Sequence, residues 1–218
     1  MKRLIGLLVA CLVLPASFAY ADSAVDVILS TGTTQAFTDE AVPAEDLETI
    51  LRAGVSAESA INQQPWFFVA VTDPAVLGEI SGSGMGSFTP PAGMEGRPEG
   101  APAGGSGAKA SLGDSPAAII IYKSTASKSP DASFDCGLAT QNMVIAASSL
   151  GYGVKIISSP TMTLNGDSHD ALCEKLGVDP SMQAVAVLLI GKADSSVDAA
   201  SGATTREDFD AKTNIIAP

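Results

Sequence analysis

The pattern of apolar and polar positions predicts a chain in which helices and strands alternate. Residues 22–30 form a short apolar segment that fits either a helix or a strand. Pro43 opens a helix with acidic residues in its first turn, since proline is tolerated at a helix start. The apolar positions of that helix are Leu47, Ile50 and Leu51. An apolar run at 67–71 then predicts a strand.

The second half of the chain continues this alternation. The uninterrupted apolar run at 117–122 is typical of a central strand, which is buried on both faces. A long and largely apolar helix is predicted at 135–147, and short apolar runs predict strands at 156–157 and 184–190. A helix that ends at Leu176 separates those last two strands.

Residues 81–115 interrupt the pattern with a segment rich in glycine, proline and serine. No packed element fits this composition. The segment is not a phosphate-binding loop, because it lacks both the G-K-[ST] sequence and a flanking strand and helix. We expect a mobile lid or a surface loop.

Length and charge limit the class of protein. A chain of 218 residues fits one domain with a sizeable core. The formal charge is −12, and cleavage of the leader described next, which carries Lys2 and Arg3, takes it to −14. Such an acidic chain is a poor partner for nucleic acid and for anionic membrane surfaces. We therefore expect no nucleic-acid partner.

The first 21 residues have the pattern of a secretory signal peptide. Two basic residues precede an apolar run at 4–14, and small residues lead to Ala19-Tyr20-Ala21, an A-x-A cleavage site. Cleavage after Ala21 predicts a mature domain at 22–218 and an extracytoplasmic location, periplasmic or secreted. A lipoprotein box at Leu8-Val9-Ala10-Cys11 is the alternative, although the apolar run before it would be very short.

Two cysteines, Cys136 and Cys173, remain in the mature chain. An oxidising compartment permits a disulfide between them, but each lies in an apolar helical pattern, which equally fits two separate buried thiols. No Cys or His spacing indicates a metal site. His169, the single histidine, stands at a polar helix start and fits a surface position.

A polar segment before the first predicted strand carries the chemistry. It has the pattern S-x-x-N-x-Q-P-W, with its fixed positions at Ser59, Asn62, Gln64, Pro65 and Trp66. Asn and Gln amides both donate and accept hydrogen bonds, which suits the polar edge of a flavin ring. In this pattern the chain resembles the FMN-dependent nitroreductase family, although Glu58 replaces the usual proline. The alternative is a polar loop that ends in a buried tryptophan.

The predicted helix at 135–147 is similar to a second motif of that family, D-x-G-x-x-x-Q-N-x-x-x-A-A-x-x-L-G. The resemblance implies that Asp135 and Gln141 are structural, and that the backbone after the helix, at Gly153 and Val154, passes the flavin. It also implies that Ser59, Ala60, Asn62 and Gln64 line the FMN site. Lys155 either offers a cation near the flavin or is a solvated surface lysine.

The fold implied by the resemblance is α+β. It is a three-layer α/β/α sandwich around a mostly antiparallel sheet. The family forms dimers, with each flavin at the subunit interface and with C-terminal arms that embrace the partner.

One departure from the family concerns the FMN phosphate. Family members commonly hold it with arginines in a segment before the phenylalanine that aligns with Phe37. The matching positions here are Thr31, Gly32, Thr33 and Gln35, none of them basic. A free phosphate dianion would be poorly held without those arginines in an acidic protein. The flavin site is then either lost, or its phosphate is held in another way.

The tail suggests that other way. Residues 198–204 read D-A-A-S-G-A-T and resemble the flavinylation motif D-x-x-S-G-A-T, in which a flavin transferase joins FMN to the final threonine by a phosphoester. That residue is Thr204. The ester would tether FMN and remove one negative charge, and Arg206 would neutralise the charge that remains. Composition alone also fits a Ser/Gly/Ala linker.

These observations predict an extracytoplasmic oxidoreductase with FMN esterified to Thr204. A small organic molecule is the expected acceptor. The expected donor is a membrane quinol system or a secreted flavoprotein rather than NAD(P)H, a cytoplasmic nucleotide. The alternatives are a flavinylated electron carrier between redox partners, a flavin-free binding module of the same fold, and an ordinary nitroreductase with dissociable FMN, which the missing arginines disfavour.

Overall fold

The computed structural model describes residues 24–81, 112–196, 209–214 and 216. The predicted signal peptide, most of the glycine- and proline-rich segment, and the tail residues Thr204 and Arg206 lie outside the described residues. In the described part of the chain, no helix has the length and apolar character needed to cross a membrane.

Besides two 3₁₀ helices, Ala60–Asn62 and Leu112–Asp114, the described chain contains seven α-helices and four strands. They are α1 (Ala24–Ser30), α2 (Ala44–Val55), β1 (Trp66–Val71), α3 (Pro74–Ser81), β2 (Ala117–Ser124), α4 (Ala132–Ser149), β3 (Gly153–Ile157), α5 (Thr161–Leu164), α6 (His169–Leu176), β4 (Met182–Gly191) and α7 (Phe209–Lys212). The segment at 22–30, open between helix and strand in the sequence, is a helix. The strands predicted at 67–71 and 117–122 and the long helix at 135–147 are confirmed.

The four strands form one antiparallel sheet with the order β1-β2-β4-β3. Residues 117–122 of β2 are fully buried, as expected of a strand with a neighbour on each side and a helical layer on each face. The alternation of side chains across β2 divides the core in two. Ile119 and Ile121 pack with α2 and α4, whereas Ile120 and Tyr122 pack with α3, α5 and α6. The three-layer α+β sandwich is therefore confirmed.

The two cysteines lie on opposite sides of this sheet. Cys136 of α4 belongs to one half of the core and Cys173 of α6 belongs to the other. Both are buried free thiols. The interpretation as two separate buried thiols is correct, and the sheet between them rules out the disulfide in this fold.

The helices α2 and α4 pack together on one face of the sheet. Asp131 caps the start of α4, because the Asp131 carboxylate accepts hydrogen bonds from Ser133 N and Phe134 N at 3.0 Å each. The helix α2 crosses α4 at Gly54, where an added Cβ would lie 2.8 Å from Met143 Cγ. A larger residue at this position would require the Met143 side chain to shift.

Candidate functional site

The first part of the candidate site is the loop of residues 59–64, called here the amide loop. Its backbone is unusual, because Ile61, Asn62 and Gln64 have φ values of 46°, 55° and 44°. This left-handed region is tolerated by asparagine but costs energy for a β-branched residue such as isoleucine. Strain of this kind persists only where surrounding contacts fix the backbone, and it is common at ligand sites.

Asp135, in the first turn of α4, supplies much of that fixation. One carboxyl oxygen of Asp135 accepts a hydrogen bond from Ala60 N at 3.0 Å, and the other accepts one from Ser129 Oγ at 2.6 Å. The residue is only 2% exposed. The structural role expected for Asp135 is thus confirmed, and it consists of holding the amide loop. Ser129 is a further residue of the site, and its only signal in the sequence is its place in the polar turn before α4.

The side chains of the amide loop also bond to one another. Ser59 Oγ accepts a hydrogen bond from Gln64 N at 2.9 Å, and Gln64 Nε2 donates to Asn62 Oδ1 at 3.0 Å. Asn62 and Gln64 are exposed. Each amide can donate and accept further hydrogen bonds, so the loop presents a preformed polar edge. Ser59 sets the shape of the loop from within.

Pro65 and Trp66 anchor the exit of the amide loop. Both are buried, the Trp66 ring stacks on Phe68 with 6.3 Å between ring centroids, and Pro65 O accepts a hydrogen bond from Ser124 N at 2.7 Å. The loop is therefore attached to β1 and β2 at the end of the sheet where Trp66 pairs with Lys123.

The second part of the candidate site is a cleft of about 670 Å³ beside β3, called here the β3 cleft. Its lining comes from α1, from the segment that follows α1, from α4 and from β3. The lining residues are Ile28, Leu29, Ser30, Thr31, Gly32, Thr33, Gln141, Val144, Val154, Lys155 and Ile156. The segment that resembles the family's phosphate-binding stretch thus forms one wall.

Backbone contacts join that wall to β3. Thr34 N donates to Val154 O at 2.8 Å, and Gly153 packs so tightly on Thr34 that an added Cβ would lie 2.4 Å from Thr34 Oγ1. Val154 lines the cleft, and its position next to the flavin stays a prediction. Gly153 does not appear in the lining, and the role that the structure gives it is close packing against Thr34.

Gln141 differs from expectation. It was expected to be structural, yet its side chain is exposed and lines the β3 cleft. The signal in the sequence was a polar residue within a run of small and apolar helical residues. Among the described lining residues, Lys155 is the only one with a cationic side chain.

Tyr152 fixes the start of β3 against α2. Its hydroxyl donates to Asp46 Oδ2 at 2.5 Å, and Lys192 Nζ lies 4.2 Å from the centre of its ring. The hydrogen bond to Asp46 raises the pKa of Tyr152 to about 12, with burial and nearby acidic charges adding to the effect. The phenol therefore remains a neutral donor, and its role is structural.

The amide loop and Val154 lie at opposite ends of the sheet. Trp66, next to the loop, pairs with Lys123 of β2, whereas Val154 pairs with Ile190, which pairs with Ala117. The two positions are six residue steps apart along β2, about 20 Å in the strand direction, and β1 and β3 also lie at opposite edges of the sheet. The structure brings Ser59, Ala60, Asn62 and Gln64 together but keeps them apart from Val154 within one chain.

Comparison with known proteins identifies the class. The described fold matches FMN-containing nitroreductase structures from Bacteroides fragilis (TM-score 0.67, 24% identity, 90% of this chain and 100% of that one) and Desulfitobacterium hafniense (TM-score 0.71, 22% identity, 88% and 98%). A relative from Archaeoglobus fulgidus, described as an NADH dehydrogenase/NAD(P)H nitroreductase, is 28% identical over 158 residues, covering 71% of this chain and 76% of that protein.

The sequence itself shows the family to which the chain belongs. Residues 28–192 match the model of the nitroreductase family. The chain therefore belongs to the nitroreductase family, a family of FMN-dependent oxidoreductases. The matched residues include both the amide loop and the described lining of the β3 cleft.

Proposed function

We propose that this chain is an extracytoplasmic FMN oxidoreductase whose flavin is esterified to Thr204, and which passes electrons to a small organic acceptor. The observation that carries the proposal is the composition of the β3 cleft. One wall of the cleft is formed by the segment in which family members commonly have arginines. In this chain the residues of that wall are Thr31, Gly32 and Thr33. The Thr31 hydroxyl already donates to Val27 O at 2.6 Å. The groups left for the ligand are the Thr33 hydroxyl and the backbone, which suit a phosphoester better than a free dianion.

In this proposal, the amide loop and the β3 cleft each bind a different part of FMN. The amide loop offers exposed amides that can bond the polar edge of the flavin ring. The β3 cleft has the volume and apolar lining for part of such a ligand, with Val144, Val154 and Ile156 in its wall. FMN supplies reversible electron transfer when bound; the chain supplies shape, hydrogen bonds and exclusion of water.

A homodimer would unite the two parts, which within one chain lie about 20 Å apart in the strand direction alone. Large apolar side chains stand on the surface of α4 and α1: Phe134 is 63% exposed and Leu29 is 79% exposed. We infer that these side chains belong to an apolar surface that a second subunit covers. A twofold contact through these helices would place the amide loop of one subunit against the β3 cleft of the other.

The tail is long enough to bring Thr204 to the cleft. Asp194 N bonds Ala36 O at 3.0 Å, so the chain leaves β4 beside the segment that lines the cleft. From Ser196 to Thr204 there are eight residues, which span at most about 28 Å when extended. Arg206, two residues further, would neutralise the remaining phosphoester charge.

Covalent attachment suits an exported protein, because a dissociable cofactor is lost when free FMN is scarce. A flavin transferase is then the maturation partner. NAD(P)H, named for the Archaeoglobus relative, is a cytoplasmic nucleotide. We therefore assign the donor role to a membrane quinol system or to another secreted flavoprotein.

The experiment is an intact-mass measurement with peptide mapping. The full chain is exported from a host that contains a flavin transferase, and is then denatured. We expect a gain of FMN minus water on the peptide that holds Thr204, and an N-terminus at Asp22.

Thr204→Val should abolish the gain, whereas the neighbouring Thr205→Val is the matched control and should keep it. An unmodified mass in the wild-type chain, or loss of the flavin in both variants, would overturn the assignment to Thr204.

A further inference from the structure

His169, the single histidine of the chain, lies at the start of α6 and has a backbone carbonyl at each ring nitrogen. Nδ1 is 2.7 Å from Leu164 O, and Nε2 is 2.9 Å from Pro180 O. Both distances are those of hydrogen bonds. The ring is partly exposed, in agreement with the surface position that the polar helix start indicated, and each of its nitrogens has a hydrogen-bond partner.

The two contacts can both be hydrogen bonds only if each ring nitrogen of His169 carries a proton. A carbonyl oxygen only accepts hydrogen bonds, so each ring nitrogen must donate. A neutral imidazole has one N–H, and its other nitrogen would turn a lone pair toward a carbonyl oxygen. An imidazolium has two N–H groups and satisfies both contacts.

We propose that His169 is a pH-sensitive clamp: protonated, it holds the end of α5 to the turn before β4, and deprotonation releases one of these two attachments. Leu164 is the last residue of α5, and Pro180 lies in the turn between α6 and β4. The carbonyl of Leu164 has no following turn of its helix to bond, so the histidine supplies a partner that the short helix lacks.

Release of the clamp would loosen this region without detaching it. Asn165 Nδ2 donates to Ala184 O at 2.8 Å, and Asn165 Oδ1 accepts from Ala184 N at 2.9 Å. These bonds do not depend on pH. The clamp therefore adjusts the stability of the α5–α6 segment, which follows directly after β3 and its cleft.

The neighbouring groups allow the protonated form. The carbonyls of Pro180 and Leu164 raise the pKa of His169, and the charge of Asp170 adds to this, whereas burial lowers it. The helix start also disfavours a cation there. Cys173 Sγ lies 3.6 Å from Nε2, and burial raises the pKa of that thiol, with Asp170 and Asp179 adding to the effect. The thiol is thus a neutral neighbour.

Because the pKa of His169 is raised in the folded state, its protonation increases the free energy of unfolding. The contribution of His169 is fully present below the pKa of the unfolded chain, and it is lost as the pH rises through the pKa of the folded chain. This behaviour is opposite to that of a carboxylate whose pKa is lowered by folding, so the two contributions can be separated by their direction.

The first test is an NMR titration of the folded chain, produced without a histidine tag, so that the single ring is observed alone. The ring should titrate at a higher pH in the folded chain than in the same chain unfolded in urea. Its two nitrogens should both carry protons below that midpoint. A folded-state midpoint at or below the unfolded one would overturn the proposal.

The second test compares the unfolding free energies of the wild-type chain and His169→Gln from about pH 5 to about pH 9, a range that includes the ordinary histidine pKa. The difference should be largest at low pH and should shrink as the pH rises. Lys175→Gln, on the same helix but in the ion pair with Glu79, is the control and should give a flat difference.

A constant difference for His169→Gln would contradict the clamp. If that variant does not fold, the titration of the wild-type ring decides alone. Neither measurement involves flavin, so the outcome is independent of the proposed function.

Discussion

The amide loop and the β3 cleft belong to one candidate site but are built in different ways. In the amide loop, polar groups are already paired with one another: Asp135 holds Ala60 and Ser129, and Gln64 bonds Asn62. The β3 cleft is open and is lined by threonine hydroxyls and apolar side chains, with Lys155 as its only cationic side chain among the described residues.

The two parts differ in whether their shape is fixed before a ligand binds. The amide loop keeps a left-handed backbone at three non-glycine residues, so its shape is fixed before any ligand arrives. In the β3 cleft, the segment that resembles the phosphate-binding stretch of the family carries no basic side chain at Thr31, Gly32 and Thr33. Under the proposed function, the affinity of the β3 cleft for flavin comes from the tether or from a second subunit, because either one raises the effective concentration of the ligand without strengthening each contact.

The largest effect should come from removing the support of the amide loop. Asp135→Ala leaves Ala60 N–H and the Ser129 hydroxyl without their partner in a partly buried place. We expect a loss of about 3 kcal/mol in unfolding free energy, measured by urea denaturation. Ser129→Ala, which removes only one of the two bonds, should cost about 1 kcal/mol. Equal losses would mean that Asp135 does not hold the loop through Ala60.

An intermediate effect should come from restoring a cation to the β3 cleft. In a Thr204→Val background, where no ester can form, Thr31→Arg should strengthen the binding of free FMN about tenfold, because a charge-assisted bond to phosphate contributes about 1.4 kcal/mol. Riboflavin, which lacks the phosphate, should bind as before. Both affinities are read from fluorescence quenching.

A matched variant controls for net charge in that experiment. Thr49→Arg adds the same charge on α2, at a threonine whose hydroxyl bonds a carbonyl four residues earlier, as that of Thr31 does. It should leave FMN binding unchanged. If riboflavin gains as much as FMN from Thr31→Arg, the phosphate does not lie against this wall.

The smallest effect should come from relieving strain in the amide loop. Ile61 is 74% exposed, so replacing it loses little packing, while glycine adopts its φ of 46° without cost. Ile61→Gly should raise the unfolding free energy by about 1 kcal/mol. Asn62→Gly should gain less, because asparagine tolerates this conformation. A loss of stability in Ile61→Gly would show that the side chain stabilises the loop.

Most helices and strands of this fold could be predicted from the sequence, because hydrophobic period depends on near neighbours along the chain. The uninterrupted apolar run at 117–122 indicated a strand buried on both faces, and the pattern from Ser59 to Trp66 located the amide loop. The same pattern did not indicate that Gln141 faces a cleft, since a helical stretch of small and apolar residues does not distinguish its faces.

Only the tertiary structure decided which distant groups meet. Ala60 and Asp135 are 75 positions apart, and the contact of His169 with two carbonyls depends on how α5, α6 and the turn before β4 pack. The structure also placed Val154 about 20 Å along the sheet from the amide loop. The physical reason is that hydrogen-bond partners and strand register are chosen by packing of the whole chain, whereas local sequence limits only the conformation of each segment.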